Sequence, residues 1–152
     1  MTLFVDDLLK EIDVLNWYRG EAEKRGDSSA AVVQSDKDSQ DAMLYFIRKS
    51  VTDVLLLLNT GSSMFTCTSD DDILVFNLSP VREDRRYMLD VLKEAIRQYI
   101  VFEVRRLWMM TVRPAWADSS IREELRNNMR DASRSVSKGE TVRRRATNLA
   151  GI

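Results

Sequence analysis

The segment between Pro80 and Pro114 dominates the architecture of this chain, because it contains neither proline nor glycine. Pro80 suits the first turn of a helix, and Pro114 ends or kinks one. The segment therefore predicts one helix of roughly 30 residues, or about 45 Å at 1.5 Å per residue. Its middle, YIVFEV at 99–104, is apolar on nearly every side and must be covered all round. In a chain of 152 residues, we expect part of that cover to come from other copies.

Large aromatic side chains on and beyond this helix are the candidates for such contacts. Trp108, Met109, Met110 and Trp116 cluster around the Pro114 bend, where they fit either core packing or a contact between subunits. The candidate oligomer interface comprises Tyr99, Phe102, Trp108 and Trp116.

Apolar periodicity predicts three further helices. The first covers residues 3–25, with Thr2 as a cap, and carries Val5, Leu8, Leu9, Ile12, Leu15 and Tyr18 on one face. The second runs from Asp36 or Ser39 to Leu58, with Gly61 as a C-terminal cap. The last is capped by Asp118 or Ser119 and extends to about Val136.

Between the second helix and the long one, alternating residues in MFTCTSDDDILVFNL predict a β-hairpin at about 64–78. The expected fold is thus mainly α: a small helical bundle with one long helix, a β-hairpin insertion and an extended C-terminal arm. Residues 1–137 are expected to form a single domain, and residues 138–152 a flexible basic arm.

Composition argues against several classes of function. The chain has no histidine, which removes the commonest general base and the usual zinc ligand, so no catalytic residue is assigned. Cys67, the only cysteine, has no nearby base and is expected to be packed and inert. The Asp70–Asp72 triplet fits a turn better than a cation site. We expect no metal, no cofactor, no secretory signal and no membrane span.

Charge is divided unevenly along the chain. Residues 1–80 carry 7 Lys and Arg against 14 Asp and Glu, whereas residues 81–152 carry 16 against 10. This asymmetry fits either ion pairs between helices of one chain or head-to-tail contact between copies.

A row of arginines at four-residue spacing, Arg122, Arg126, Arg130 and Arg134, flanks the apolar stripe of the last predicted helix. It fits a solvated edge beside acidic neighbours. It also fits a contact with an acidic surface of another copy or a docking protein, or with nucleic-acid phosphate. The sequence pI of about 5.6 and the lack of interleaved aromatics argue against a dedicated nucleic-acid domain.

The arm supplies a second set of candidate contacts with a partner. Arg143, Arg144 and Arg145 would set its register, and Leu149 and Ile152 would anchor it, if it orders on docking. A frayed terminus is the simpler interpretation.

The order of these features, with DKDSQDAMLYFIRKSVTDVLLLLN at 36–59 and LSPVREDRRYMLDVLKEAIRQYIVFEVRRLW at 78–108, resembles head-tail connector, or neck adaptor, proteins of tailed bacteriophages. The two stretches look most like connectors of phages and prophages of Bacteroidetes-type hosts. The resemblance covers roughly residues 5–136.

The resemblance implies a non-enzymatic virion protein that is assembled in the bacterial host cytoplasm. Such subunits form a ring, often of twelve copies, beneath the portal protein, contact further neck or tail proteins, and pass DNA through the lumen. In that family the C-terminal arm, here Lys138 to Ile152, reaches towards the portal.

Two other functions remain open from the residues themselves. The first is a nucleic-acid-binding regulator that uses the Arg122–Arg134 row. The second, which has less support, is an enzyme that uses the carboxylates of Asp70–Asp72.

Overall fold

The computed structural model describes residues 1–23, 39–59 and 63–137, and the fold is mainly α with a small antiparallel sheet. The elements in chain order are β1 (Thr2–Phe4), α1 (Val5–Glu23), α2 (Gln40–Leu58), β2 (Met64–Ser69), β3 (Ile73–Ser79), α3 (Met88–Val112) and α4 (Arg122–Ser137). Short 3₁₀ turns at Glu83–Arg85 and Pro114–Trp116 precede α3 and α4. The predicted fold class, mainly α with one long helix and a β-hairpin, is confirmed, while the predicted C-terminal arm at 138–152 lies outside the described residues.

The sheet contains the predicted hairpin and one strand that the sequence pattern did not indicate. Its strand order is β1-β3-β2, and both pairings are antiparallel. Thr2 lies in β1 opposite Val75, so it does not cap α1 as predicted. The amino group of Met1 donates a hydrogen bond to the Phe76 carbonyl at 2.8 Å, which fastens the start of the chain to β3.

The acidic triplet forms the turn of the hairpin, as predicted. The Asp70 carboxylate accepts hydrogen bonds from the backbone N–H groups of Asp72 and Ile73, both at 2.9 Å. Asp70 therefore holds the turn with its own side chain, a common role of aspartate. Within the described parts of the chain, no three acidic or cysteine side chains come together in a way that could hold a metal ion.

The long helix is shorter than predicted. α3 begins at Met88 instead of Pro80, because Ser79 still pairs with Met64 in the sheet and the Arg82 N–H donates to the Val136 carbonyl at 3.2 Å. These contacts hold the chain out of helical conformation after Pro80. The C-terminal end agrees with the prediction, since α3 stops at Val112, before Pro114.

α3 lies at the centre of the molecule and packs against α1, α2 and α4. Its inner positions are buried by this one chain, and Ile96, Tyr99, Ile100 and Val104 are each 0% exposed. The expectation that the middle of the helix needs cover from other copies is therefore wrong. Three helices of the same chain suffice to cover it.

The other helices largely follow their predicted faces. α2 buries Met43, Ile47, Val51, Val54 and Leu58, while Gly61, its predicted cap, lies outside the described residues. α1 buries Val5, Leu8 and Ile12, but the next inward position is Asn16, and Tyr18 faces solvent.

Candidate interaction surfaces

The arginine row begins inside an ion-pair network of its own chain. The Arg122 guanidinium donates to Glu103 Oε2 at 3.1 Å and lies 3.9 Å from Asp53 Oδ2. Glu103 is 2% exposed and also binds Arg106 at 2.5 Å. Arg122 thus joins α4 to α3 and α2, and its partner is internal.

The pKa of Glu103 reflects this network. Burial alone would raise the pKa of this carboxyl, but hydrogen bonds and charge from Arg106 and Arg122 outweigh burial and lower it. Burial, and to a lesser extent the charge of Glu103, raises the pKa of the nearby Tyr99 hydroxyl, which accepts a hydrogen bond from Arg122 at 3.4 Å. Glu103 is therefore a charged carboxylate held between two arginines, with a structural role.

The next two arginines of the row pair within α4. Arg126 and Arg130 each lie 3.5 Å from a carboxylate oxygen of Glu123, and Arg130 also donates to Asn127 Oδ1 at 3.0 Å. Arg134 is exposed, and it has no ion pair with any residue in the described ranges. Glu123 therefore partly neutralises Arg126 and Arg130 within their own helix, although it lies three and seven positions from them and not at the four-residue spacing of the row.

Two of the four predicted interface aromatics are internal. Tyr99 is 0% exposed and Trp108 is 6% exposed, so neither side chain is available to another copy, and this part of the prediction is corrected. Helical spacing indicated that these side chains are covered, but not that their own chain covers them. Phe102 and Trp116 are only partly buried, and both line a pocket of about 190 Å³ at the C-terminal end of α3.

An exposed apolar patch lies on the outer face of α1. We define the α1 patch as Val14, Trp17 and Tyr18, which follow three- and four-residue spacing and are 52%, 44% and 61% exposed. The Trp17 and Tyr18 rings pack edge to face, with centroids 5.1 Å apart. The prediction that Tyr18 lies on the buried face of α1 is wrong. The adjacent aromatic residues Trp17 and Tyr18 are the sequence signal that could have revealed the patch.

A second surface feature is a groove of about 630 Å³ between the first half of α3 and the second half of α4. Its apolar lining residues are Met88, Val91, Ala95 and Ala132. Asp90, Glu94 and Asp131 also line it and are its charged residues. We call this feature the acidic groove.

The candidate contacts of the C-terminal arm lie outside the described residues: Arg143, Arg144, Arg145, Leu149 and Ile152. Burial raises the pKa of the Cys67 thiol more than its backbone hydrogen bond with Val75 lowers it, which fits a packed cysteine.

Comparison with known proteins found no matching family model, no matching curated protein and no matching solved structure. In the described part of the chain, no helix combines the length and the apolar character needed to cross a membrane.

Proposed function

We propose that this chain is a structural subunit that assembles with copies of itself into a ring at the neck of a tailed bacteriophage, as a head-tail connector docked on the portal protein. The observation that carries the proposal is the α1 patch. Two aromatic side chains and a valine lie side by side in solvent on a helix whose opposite face is already buried. Exposed apolar clusters of this kind mark protein interfaces, and aromatic residues dominate their binding energy.

The distribution of charge supports assembly between unlike surfaces. The acidic groove lies near the N-terminal end of α3, whereas Arg105 and Arg106 lie towards its C-terminal end. Val91 and Arg105 are separated by about 21 Å along the helix at 1.5 Å per residue. Contact between two different surfaces of neighbouring copies is the arrangement that closes into a ring when the rotation between copies permits it.

The sequence resemblance supplies the specific context of the proposal. A small helical subunit with a long central helix, a bend at Pro114 and a basic arm is the combination found in connectors. In this proposal the protein is not an enzyme, the arm engages the portal, further neck or tail proteins bind the ring, and DNA passes through the lumen without sequence-specific binding. The ring forms in the bacterial host cytoplasm and remains in the virion neck.

The α1 patch can be tested with a matched pair of variants. Tyr18 on α1 and Tyr45 on α2 are both 61% exposed, so Tyr18→Ser and Tyr45→Ser remove similar apolar surface from different helices. We expect Tyr18→Ser to weaken assembly at least about tenfold, the scale of an interface aromatic, and Tyr45→Ser to assemble as the wild type does.

Mass photometry and negative-stain electron microscopy, with and without the portal protein, would measure this assembly. Unchanged assembly of Tyr18→Ser would remove the α1 patch from the interface. Circular dichroism of both variants would establish that any loss of assembly is not a loss of folding.

The alternative function, a nucleic-acid-binding regulator that uses the Arg122–Arg134 row, has weaker support. Three of the four arginines are engaged with carboxylates of their own chain, which leaves Arg134 as the exposed member. This alternative requires DNA affinity that falls steeply with salt and that is lost when the four arginines are changed to alanine.

A further inference from the structure

The pocket of about 190 Å³ at the C-terminal end of α3 carries an excess of positive charge. Arg19 from α1 and Arg105 and Arg106 from α3 line it, together with Trp116, Phe102 and the carboxylate of Asp118. We infer that this pocket binds a phosphate group, a role that goes beyond the proposed assembly function.

The charge of Arg105 has no counterpart in the part of the chain that the structure describes. Arg105 is half-buried, and among the described residues it donates only to neutral acceptors: Asn16 Oδ1 at 3.2 Å and the Leu15 carbonyl at 3.5 Å. Within residues 1–23, 39–59 and 63–137, no carboxylate forms an ion pair with it. Buried charges in proteins are normally paired, and an arginine has five N–H donors to satisfy.

The charge of Arg19 adds to the positive potential at Arg105. Burial, and to a lesser extent the charge of Arg19, lower the pKa of Arg105, although an arginine stays protonated at neutral pH. Arg106 shares Glu103 with Arg122, and Asp53 lies beside Arg122, so these four side chains together are neutral. Among the described residues, Nη1 of Arg106 donates only to the weak acceptor Met110 Sδ, at 3.1 Å.

Asp118 is the one acidic side chain among the described residues that line this pocket. Its carboxylate accepts a hydrogen bond from the Ser120 backbone N–H at 2.8 Å, and this bond, and to a lesser extent the charge of Arg19, lowers the pKa of Asp118. Asp118 is exposed at the rim and does not neutralise Arg105. It would weaken the binding of an anion without preventing it.

Size and ring contacts restrict the class of ligand. A volume of about 190 Å³ is below the range of about 300–1,000 Å³ that is typical of pockets for larger ligands. The guanidinium groups of Arg19 and Arg113 already stack over the Trp116 ring, with their central carbons 5.4 Å and 4.7 Å from its centroid. The pocket therefore fits a compact oxyanion bound by arginines better than an aromatic ligand. Phosphate, free or in a nucleic-acid backbone, matches the arginine geometry.

The test is a titration of the full chain with inorganic phosphate at constant ionic strength, followed by NMR of the arginine Nε–H and tryptophan indole N–H signals. We expect saturable shifts centred on Arg105, Arg106 and Trp116. Arg105→Gln should weaken phosphate binding about tenfold or more, the scale expected when a charged hydrogen-bonding group is lost. Arg134→Gln removes the same charge from the exposed end of α4 and should leave affinity unchanged.

Asp118→Asn provides a variant whose effect cannot arise from misfolding, because it should tighten phosphate binding by removing the repulsive carboxylate. Failure to saturate, or equal affinity of wild type, Arg105→Gln and Asp118→Asn, would overturn the inference. A parallel titration with duplex DNA identifies the source of the phosphate. If Arg105→Gln weakens DNA binding and free phosphate competes with it, the phosphate belongs to a nucleic-acid backbone. If neither the substitution nor phosphate affects DNA binding, the ligand is free phosphate.

Discussion

Glu103 shows how a single residue organises the interior of this protein. Its carboxylate is almost inaccessible to solvent and holds Arg106 of its own helix and Arg122 of α4 at the same time. Desolvation of such a carboxylate is costly, and the two guanidinium groups offset that cost. The charge of Glu103 is therefore tolerated in the folded interior because α3 and α4 bring these two arginines to it.

Replacing this carboxylate with an amide should destabilise the fold. We expect Glu103→Gln to lower the free energy of unfolding by about 3 kcal/mol at pH 7, the low end of the range for breaking a buried pair, because the arginines are partly solvated. Urea denaturation would measure the change. Glu94→Gln, which removes an exposed partner of Arg97, is the matched control and should cost less than about 1 kcal/mol.

The same contact predicts a pH dependence with a definite sign. The folded-state pKa of Glu103 is lowered from its ordinary value of 4.5, so its contribution is present above pH 4.5 and is lost as the pH falls through the folded-state pKa. The difference in unfolding free energy between wild type and Glu103→Gln should therefore shrink at acid pH. A difference that stays constant from pH 7 to pH 3 would contradict this account.

Residue patterns predicted part of these contacts. Four-residue spacing correctly placed the arginine row beside the buried stripe of α4, where Met129, Ala132 and Val136 are enclosed. It could not identify Glu103 as the partner of Arg122, because the two residues lie on different helices and periodicity carries no information about packing between helices.

The helices and strands that were predicted correctly are the ones whose sequence signals are local. The hairpin, α2 and the end of α3 before Pro114 agree with the structure because alternation, helical periodicity and proline act within a few residues. β1 was missed because its three residues become a strand only by pairing with β3, about seventy positions later. The start of α3 was misplaced for a similar reason, since Arg82 is held by the distant Val136 carbonyl.

Substitutions along α3 can test whether its own chain encloses it. Ile100→Ala should lower the free energy of unfolding by about 2–5 kcal/mol, as expected for a fully enclosed position. Val91→Ala, at a site on the same helix that is 49% exposed, should change it by no more than about 0.5 kcal/mol. Chemical denaturation at several protein concentrations would measure both values.

The concentration series decides whether copies share in covering the helix. Since Ile100 is fully buried within its own chain, the loss in Ile100→Ala should be the same at all concentrations. A loss that depends on protein concentration would indicate that burial of Ile100 needs another copy.

Considered as a whole molecule, the chain buries its long helix without help and yet leaves an aromatic patch and opposite charges on its surface. The candidate surfaces for assembly are the outer face of α1 and the two ends of α3, whereas the middle of α3 is buried in its own chain. The monomer is complete as a folded unit in the described residues. A ring would form by joining finished subunits, and binding to a portal would shift that equilibrium by mass action.

Light scattering coupled to size exclusion, performed on the purified chain alone and mixed with the portal protein of the genome that carries it, tests the assembly proposal most directly. We predict that the chain co-elutes with the portal as an added ring containing several copies, and that Tyr18→Ser does not. A wild-type chain that remains a monomer at high concentration and elutes apart from the portal would contradict the proposal.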